Sequence, residues 1–453
     1  MKIAVAGCLH GELDKLYQEI DKSQEKVDLV LVCGDFQAVR NENDLKCMHV
    51  PKKYQRLGTF YKFYFGIKKV PILTIIIGGN HEASNYFQTL PYGGWIAPNM
   101  YYLGYAAVIN FGGLRIGGIS GIFGKYSNPK YRHDNRGHYE TLPYDQDQMV
   151  SAYHMRETEV YKLLQLKRNP TGDFEPILDI FLSHDWPLNI HNFGNVGYLL
   201  NKKPFFREDI NRGSLGNPLL LPLLEHIKPT NWFAAHLHVG FNATIDHYRC
   251  SNYFPNTKKG EQVKPSITKF QALHKTGFYF VQIRQINVPN EPEIKKLEFD
   301  PEWLAILKKT SHLFRVTRDI ISDFELNRND IEITDEDLND IKEAFNNDFT
   351  IVHNFTPCDP VPEPNIDLDP ERYFNYLNPQ TTQLCQKLSI PDPNQMVIDI
   401  KGSKPDSLNA LNSKNPDEID LEDSEENDST EDGGNVKKQK LNYVPGLYFK
   451  DVE

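Results

Sequence analysis

The sequence predicts an α/β protein with a helical C-terminal region. Short apolar runs rich in Val, Ile, Leu and Phe recur in the first half of the chain, and most end in Gly, Ser, Asn, Asp or His, as buried strands do. After residue 300, apolar residues return at helical spacing instead. The predicted strands are residues 2–6, 27–32, 72–77, 177–182 and 232–235.

Two helices and two loops complete this outline. Residues 301–326 carry apolar residues at helical spacing, and residues 335–345 are predicted to form a second helix. The second helix follows Thr334, a residue type that caps helix N-termini. Residues 40–55 and 124–148 are predicted to be loops or insertions rather than domain boundaries.

Acidic charge is concentrated near the end of the chain. Apolar residues thin out after Pro391 and polar residues dominate, so residues 396–453 are predicted to form a disordered acidic tail. The net charge is −11, and the ten acidic residues of segment 417–432 account for all but one unit of it. The remainder is nearly neutral, so charge neither supports nor opposes binding to nucleic acid.

Cysteine content and hydropathy restrict the cellular context. The six cysteines have no close, regular spacing, which favours a reducing compartment over secretion. Residues 1–20 begin directly with a predicted strand and lack the apolar region of a signal peptide. No apolar stretch approaches the ~20 residues that span a bilayer, so we expect no membrane partner.

Five short segments carry metal-binding side chains, each where a predicted strand ends. In open α/β sheets such ends converge at one edge, so these side chains can meet. Imidazole, carboxylate, amide oxygen and thiolate together suit a borderline divalent metal such as Zn, Fe or Mn. Each piece alone has an ordinary explanation, as a turn or a buried histidine, but five in this order favour a metal site. The segments are Cys8-Leu9-His10-Gly11, Gly34-Asp35, Gly79-Asn80-His81-Glu82, Ser183-His184-Asp185 and Ala235-His236-Leu237-His238.

This order of segments resembles the calcineurin-like metallophosphoesterase superfamily. The superfamily motif runs Asp-x-His, Gly-Asp, Gly-Asn-His-Glu/Asp, His and Gly-His-x-His, and its fold is an αββα sandwich. Two positions depart from the motif, because Cys8 stands where most members have Asp and Ala235 replaces the usual Gly.

A closer resemblance is to the RNA lariat debranching enzyme family, over residues 1 to about 395. It implies a catalytic domain over residues 1–275 and the family's C-terminal domain over 276–395. One further departure is His274, where the family pattern Ala-Leu-Asp-Lys usually has Asp. The segments that carry this resemblance are residues 7–13 (GCLHGEL), 34–37 (GDFQ), 51–58 (PKKYQRLG), 183–187 (SHDWP), 235–239 (AHLHV) and 300–304 (DPEWL).

The resemblance implies two adjacent metal pockets that share Asp35, since a carboxylate has two oxygens able to serve two cations. One or two divalent ions, Fe, Zn or Mn, would bind there. Cys8 either binds as a thiolate, which favours Zn or Fe, or leaves its pocket weak. The two implied ligand sets are Cys8, His10, Asp35 and His238 in one pocket, and Asp35, Asn80, His184 and His236 in the other.

His81 is the implied catalytic residue outside the ligand sets. Its neighbour Asn80 is an implied ligand, which would place the imidazole near the scissile phosphate as a general acid or phosphate stabiliser. The alternative is a structural hydrogen bond within the turn. Glu82 and Asp185 are expected to orient ligand imidazoles from behind.

The implied substrate is the 2′–5′ phosphodiester at the branch point of an excised intron. The metal motif alone does not distinguish this linkage, so recognition is assigned to residues 124–156. The family has a lariat-recognition loop there, and cations alternate with aromatic rings as in sites that hold irregular RNA. The predicted substrate-binding residues are Arg40, Lys125, His138, Tyr139 and Arg156.

The expected function is therefore metal-dependent cleavage of lariat branches, which allows intron turnover during mRNA processing. One alternative is a related phosphoesterase that acts on another phosphodiester or a phosphoprotein, and another is a non-catalytic RNA-processing scaffold. Branched lariat RNA is the expected partner, with spliceosome-associated proteins as further candidates, and the nucleus is the expected location.

Overall fold

The computed structural model describes residues 1–124, 134–167, 177–247, 266–289, 291–321, 331–357 and 377–400. In this part of the chain the strands form a six-stranded sheet in the order β12-β1-β2-β3-β5-β4 and a seven-stranded sheet in the order β10-β11-β9-β8-β7-β6-β13. The strands are β1 (Lys2–Ala6), β2 (Leu29–Cys33), β3 (Thr74–Ile77), β4 (Gly94–Ala97), β5 (Met100–Tyr102), β6 (Ala106–Phe111), β7 (Leu114–Ile119), β8 (Ile180–Ser183), β9 (Asn231–Ala234), β10 (Phe241–Asp246), β11 (Ile267–Ala272), β12 (Val281–Gln285) and β13 (Leu297–Phe299).

Helices cover the outer faces of both sheets. Most are short, and several begin at a side chain that accepts a backbone N–H, as Asp145 and Thr334 do. The described helices are α1 (Leu13–Lys22), α2 (Glu42–Leu45), α3 (Phe60–Tyr64), α4 (Ser84–Phe87), α5 (Gln146–Ser151), α6 (Glu157–Leu164), α7 (Val196–Lys202), α8 (Phe206–Arg212), α9 (Leu220–Ile227), α10 (Pro301–Thr310), α11 (Asp335–Ala344), α12 (Pro379–Leu388) and α13 (Pro393–Ile400).

Alternation along β1 shows how the layers pack. Ile3 and Val5 belong to the large apolar cluster shared with the second sheet, whereas Ala4 and Ala6 pack with residues of α1 and α3. Successive residues of a strand point to opposite faces, so the first sheet lies between the second sheet and a helical layer. Residues of α6, α9 and α10 join the cluster of the second sheet. The predicted αββα sandwich is confirmed, and all five predicted strands are present with ends shifted by up to three residues.

The region after residue 275 completes both sheets. Strand β12 pairs antiparallel with β1 in the first sheet, and β13 pairs antiparallel with β6 in the second. Strands from both sides of the boundary predicted after residue 275 therefore belong to the same two sheets.

An ion pair fixes helix α10 to the second sheet. Oδ1 of Asp300 caps the helix by accepting the backbone N–H of Trp303 at 2.9 Å. The guanidinium of Arg115, on β7, donates to both oxygens of Asp300 at 2.8 and 2.9 Å and to Glu302 at 2.8 Å. The carboxylate of Asp300 thus both caps helix α10 and binds the guanidinium of Arg115.

Replacing Asp300 by Ala is expected to lower the free energy of unfolding by roughly 2–4 kcal/mol, because it removes a cap and leaves a partly buried Arg115 without its main partner. Asp300→Asn keeps the cap and loses the charge, so its effect should be smaller. Urea denaturation of the three proteins measures the difference, and an Ala variant as stable as the original would contradict this role.

The C-terminal helices also cover β4, which lies at one edge of the first sheet. The side chain of Gln380, in α12, accepts the backbone N–H of Trp95 and donates to its carbonyl, both at 2.8 Å. The indole N–H of Trp95 donates to the carbonyl of Val352 at 2.9 Å. Side chains of the C-terminal region therefore occupy backbone groups that a neighbouring strand would otherwise pair.

Two predictions about this region need correction. Helix α10 ends at Thr310, followed by a 3-10 turn over Ser311–Leu313, so the described residues up to 321 do not continue the predicted helix over 301–326. Residues 396–400, assigned to the tail, belong to α13. The rest of the predicted tail, with its acidic run, lies outside the described residues.

The predicted loops over 40–55 and 124–148 contain the short helix α2 and the beginning of α5, respectively. Among the described helices, none combines the length and the apolar character needed to cross a membrane.

Candidate metal centre

The predicted ligands lie on loops that follow parallel strands. Strands β1, β2 and β3 run parallel in the first sheet, and β8 and β9 run parallel in the second. The loops after them bring residues of both sheets together, as expected at the carboxyl ends of parallel strands. Oδ1 of Asp35, after β2, lies 3.2 Å from Nε2 of His184, after β8.

The first group consists of Cys8, His10, Asp35 and His238. Each residue offers one ligand atom, and these atoms all lie within 4.8 Å of one another. Nε2 of His10 lies 3.1 Å from Nε2 of His238 and 3.8 Å from Oδ2 of Asp35. Burial lowers the pKa of His10 to about 4 and that of His238 well below its usual value. Both imidazoles are therefore neutral at neutral pH, which is the form that binds metal.

The second group lies near the other oxygen of Asp35. Nδ1 of His184 is 2.6 Å from the carbonyl of Cys33, so in the neutral ring it carries the proton and leaves Nε2 as an acceptor. That Nε2 lies 3.2 Å from Oδ1 of Asp35 and 3.3 Å from the Oδ1 of Asn80. The ring centroid of His236 is 5.0 Å from that of His184.

Asp35 connects the two groups through its two oxygens. Burial opposes its ionisation, but the imidazoles of His184, His81 and His10 together hold the pKa of its carboxyl well below the usual value. The carboxylate also raises the pKa of His184, against the effect of burial. Asp35 is therefore a buried anion that faces both sets of imidazoles.

The residues present fit divalent cations. Three acceptor atoms converge on one point, namely Nε2 of His184, Oδ1 of Asp35 and Oδ1 of Asn80. Acceptors that converge in this way need a cation or a proton between them. In the first group, two neutral imidazoles, a carboxylate and a sulfur offer the nitrogen, oxygen and sulfur donors that Zn or Fe prefers.

Four of these seven residues have a backbone conformation that side chains rarely adopt. The φ angle is 46° at His10, 49° at Asp35, 64° at His236 and 49° at His238. A left-handed backbone costs a residue other than Gly roughly 1–2 kcal/mol, and such outliers concentrate at functional sites. The loop after β1 is held in this form because the N–H groups of Leu9 and His10 both donate to the carbonyl of Asp35, at 3.1 and 2.8 Å.

Glu82 has a different task from the one predicted. Its buried carboxylate accepts the backbone N–H groups of Phe36 and Gln37, each at 2.8 Å, and that of Gly79 at 3.0 Å. It therefore ties the turn that carries Asp35 to the turn that carries Asn80, rather than orienting an imidazole. Asp185 lies nearer its predicted place, with Oδ1 3.9 Å from Nε2 of His236 and Oδ2 accepting the N–H of Phe123 at 3.1 Å.

Two glycines allow the ligand loops to approach each other. A Cβ at Gly79 would lie 2.3 Å from Oδ1 of Asp35, and one at Gly34 would lie 2.4 Å from Nδ1 of His184. Such distances are far below a van der Waals contact, so any larger residue at either position would displace a ligand.

His81 lies beside the first group. Its backbone N–H donates to Oδ1 of Asp35 at 2.9 Å, and its ring centroid lies 5.1 Å from that of His10 in an edge-on arrangement. The side chain is half-buried, so one part of the ring is accessible from solvent. This position suits a residue that meets a substrate held at the cations.

Cys8 is fully buried beside Asp35. Burial, together with the Asp35 carboxylate, raises the pKa of its thiol well above the usual value. A bound cation would have to displace the thiol proton for sulfur to act as a ligand.

Arg40 is buried and paired with Asp44, and its contact with a phosphate stays a prediction. Its side chain is buried, and its guanidinium donates to both oxygens of Asp44 at 2.9 Å. The same group lies 4.1 Å from the ring centroid of Tyr86. Arg40 thus stabilises the loop after β2.

Three of the predicted loop residues are also buried, and their contacts with substrate stay predictions. The guanidinium of Arg156 donates to Glu140 and to the hydroxyl and carbonyl of Ser151. The His138 ring is stacked between Tyr105 and Phe314, at centroid distances of 4.3 and 4.9 Å. The Tyr139 hydroxyl donates to Asp147 at 2.9 Å. These side chains build the base of the loop, and Lys125 lies outside the described residues.

The segment between β11 and β12 contains residues near the site that no sequence pattern marked as functional. His274 was noted only as a departure from a family pattern, but its ring lies 5.1 Å from that of Phe278. Thr276 donates to the carbonyls of Cys8 and Leu9. The signal in the sequence was three consecutive aromatic residues, Phe278, Tyr279 and Phe280, soon after the segment Ala272-Leu273-His274-Lys275.

Two sheets that present ligands around one shared carboxylate define a phosphoesterase of the calcineurin-like class, and residues 1–258 match the family described as calcineurin-like phosphoesterase. Residues 265–393 match the family described as lariat debranching enzyme, C-terminal domain. The chain therefore belongs to the lariat debranching enzyme family.

Curated relatives agree with this assignment. The chain is 44% identical to lariat debranching enzyme A of Xenopus laevis, over 99% of this chain and 85% of that protein. It is 44% identical to the lariat debranching enzyme of Homo sapiens, over 95% of this chain and 81% of that protein. It is 45% identical to the enzyme of Gallus gallus, over 88% of this chain and 72% of that protein.

Proposed function

We propose that this protein hydrolyses the 2′–5′ phosphodiester at the branch point of excised intron lariats and so allows intron turnover. Its family membership supports the substrate, and the position of Asp35 between two groups of ligands supports the chemistry. Neither the alternative phosphoesterase nor the scaffold is favoured by a separate observation.

The chain supplies the setting for attack on a phosphodiester. Divalent cations, when bound, neutralise the charge of the phosphate oxygens and make a water molecule more acidic. Cys8, His10, Asp35 and His238 would hold one, and Asp35, Asn80, His184 and His236 the other. The carbonyl of Cys33 fixes the orientation of His184, and the carboxylate of Glu82 fixes the two turns that carry Asp35 and Asn80.

His81 is assigned the proton transfer. Its ring is accessible and lies next to His10, while its backbone is fixed by Asp35. We infer that it donates a proton to the oxygen that leaves phosphorus, or stabilises charge on the phosphate.

One incubation tests the function. Purified, metal-loaded protein is offered a branched RNA and a linear RNA with only 3′–5′ bonds. Cleavage of the branch alone supports the proposal. Cleavage of both RNAs would favour a less specific phosphodiesterase, and cleavage of neither would favour a scaffold.

We propose Fe or Zn, ahead of Mn, as the metal of the first group, because a thiolate at Cys8 is a soft ligand. Cys8→Asp should then raise the retained ratio of Mn to Zn by about tenfold when protein is loaded anaerobically from an equal mixture of Fe, Zn and Mn. Elemental analysis provides the measurement. Cys33→Ala is the matched control, since the Cys33 thiol is also buried and the substitution keeps the backbone carbonyl that contacts His184. An unchanged metal ratio in Cys8→Asp would mean that sulfur is not a ligand.

Nuclear location and contacts with spliceosome-associated proteins are proposed on the same basis, because excised introns arise during splicing. Fractionation of cells that express the full chain provides the test. A protein found only in the cytoplasm would contradict the location.

A further inference from the structure

The connection between β11 and β12 borders the metal centre and exposes aromatic side chains that the mechanism above does not use. Phe278 is 45% exposed and Tyr279 is 82% exposed. Two adjacent exposed rings form a contiguous apolar surface, the kind of surface that can bind a partner.

This connection is anchored to the loops that carry the ligands. The backbone N–H of Thr276 donates to the carbonyl of Cys8 at 2.9 Å, and its hydroxyl lies 3.0 and 2.9 Å from the carbonyls of Cys8 and Leu9. At its beginning, the N–H of Leu273 donates to the carbonyl of Ala234 at 2.9 Å, one residue before the loop that carries His236. The segment is therefore fixed between the loops after β1 and β9.

Both ends of the connection are held close to the sheet. The N–H of Gly7 donates to the carbonyl of Phe280 at 2.9 Å. The carbonyl of His274 packs so closely on Gly7 that a Cβ there would lie 2.1 Å away. The exposed rings are therefore presented by a backbone that is tied down on both sides.

The Phe278 ring is supported by a neighbouring ring. Its centroid lies 5.1 Å from that of His274, with an angle of 32° between the ring planes. The backbone N–H of Phe278 donates to the carbonyl of Lys275 at 3.3 Å. A supported and partly exposed aromatic ring thus stands on the segment that contacts the loop carrying Cys8.

We propose that Phe278, supported by His274, is a stacking platform for one nucleobase of the RNA next to the scissile bond. Proteins hold unpaired nucleotides by stacking their bases on aromatic rings near cations that meet the phosphates. This inference rests on the proposed function and adds a residue that would position the substrate. It also places recognition on a segment where the sequence analysis predicted none.

Steady-state cleavage of branched RNA tests the platform. Phe278→Ala is expected to raise KM about tenfold, the loss of one base–aromatic stack, while kcat and metal content stay within about twofold of the original values. Phe278→Trp should restore KM, since a larger ring also stacks. Phe205→Ala is the matched control, because Phe205 is 44% exposed and its ring contacts the core residue Phe206.

A second set of substrates identifies the base. Branched RNAs in which one nucleotide beside the branch lacks its base are compared with the intact RNA, one position at a time. At the stacked position, loss of the base should raise KM for the original protein and have little further effect on Phe278→Ala, as expected for two partners of one contact.

Each outcome has one meaning. If the original protein does not cleave branched RNA, the proposed function fails before any variant is considered. If it does, an unchanged KM in Phe278→Ala overturns the platform. If Phe278→Ala loses metal or kcat, Phe278 has a structural role and the platform is overturned. If Phe278→Trp fails to restore KM, the same conclusion holds.

Discussion

Replacement of His81 by Ala should leave the metals in place and lower turnover of branched RNA by roughly a hundred- to ten-thousand-fold, the range for a lost general acid or base. Metals should remain because the His81 ring lies beside the first ligand group, while only its backbone N–H contacts Asp35. Alanine retains that N–H. Elemental analysis and single-turnover kinetics on the same preparations provide the measurements.

The leaving group distinguishes the two tasks assigned to His81. A phosphodiester that releases p-nitrophenol does not need a proton on its leaving oxygen, so a general acid adds little to its cleavage. His81→Ala should then cleave this substrate at a rate close to that of the original protein, whereas a residue that only stabilises the phosphate would slow both reactions. A variant that is found empty of metal would show that His81 is a ligand or holds one.

Replacement of Asp35 by Asn should abolish both metal binding and turnover, with a rate loss of more than about a thousandfold, because the cations supply most of the charge neutralisation at the phosphate. Asn has the same shape and tolerates a left-handed backbone, so it can keep the φ of 49° found at this position. The fold should survive while the one carboxylate that faces both ligand groups is lost. Circular dichroism and elemental analysis measure these two properties separately.

Asp185→Asn is a control that should lose less metal binding and turnover than Asp35→Asn. This carboxylate lies 3.9 Å from Nε2 of His236, so its loss should cost about 10- to 100-fold in metal affinity or activity. If Asp35→Asn retains two metals per chain, the shared-carboxylate arrangement is wrong.

Local patterns predicted the ligand loops well. Apolar runs that end in glycine and polar residues are a local property, and they placed Asp35, Asn80 and His184 at strand ends that the structure brings together. The left-handed backbone at His10 has no such signal, since it is held by hydrogen bonds from Leu9 and His10 to Asp35, on a loop distant in sequence.

Substrate residues were harder to predict because composition does not reveal burial. Arg156 looked like a phosphate ligand, but Glu140 and Ser151 neutralise and bind it inside the protein. For Arg40 the sequence contained a signal of an internal ion pair, because Asp44 follows four residues later and pairs with it. Phe278 was overlooked because its exposure depends on how the connection after β11 is tied to the loop after β1.

The participation of β12 and β13 in the two sheets bears on shortened forms of this protein. A chain that stopped at residue 275 would leave the buried strand β1 as a bare edge and would strip β6 of its outer neighbour. Unpaired, apolar strand edges of different molecules pair with one another and cause aggregation. A premature stop or a proteolytic cut at this point should therefore yield insoluble material instead of a smaller working enzyme.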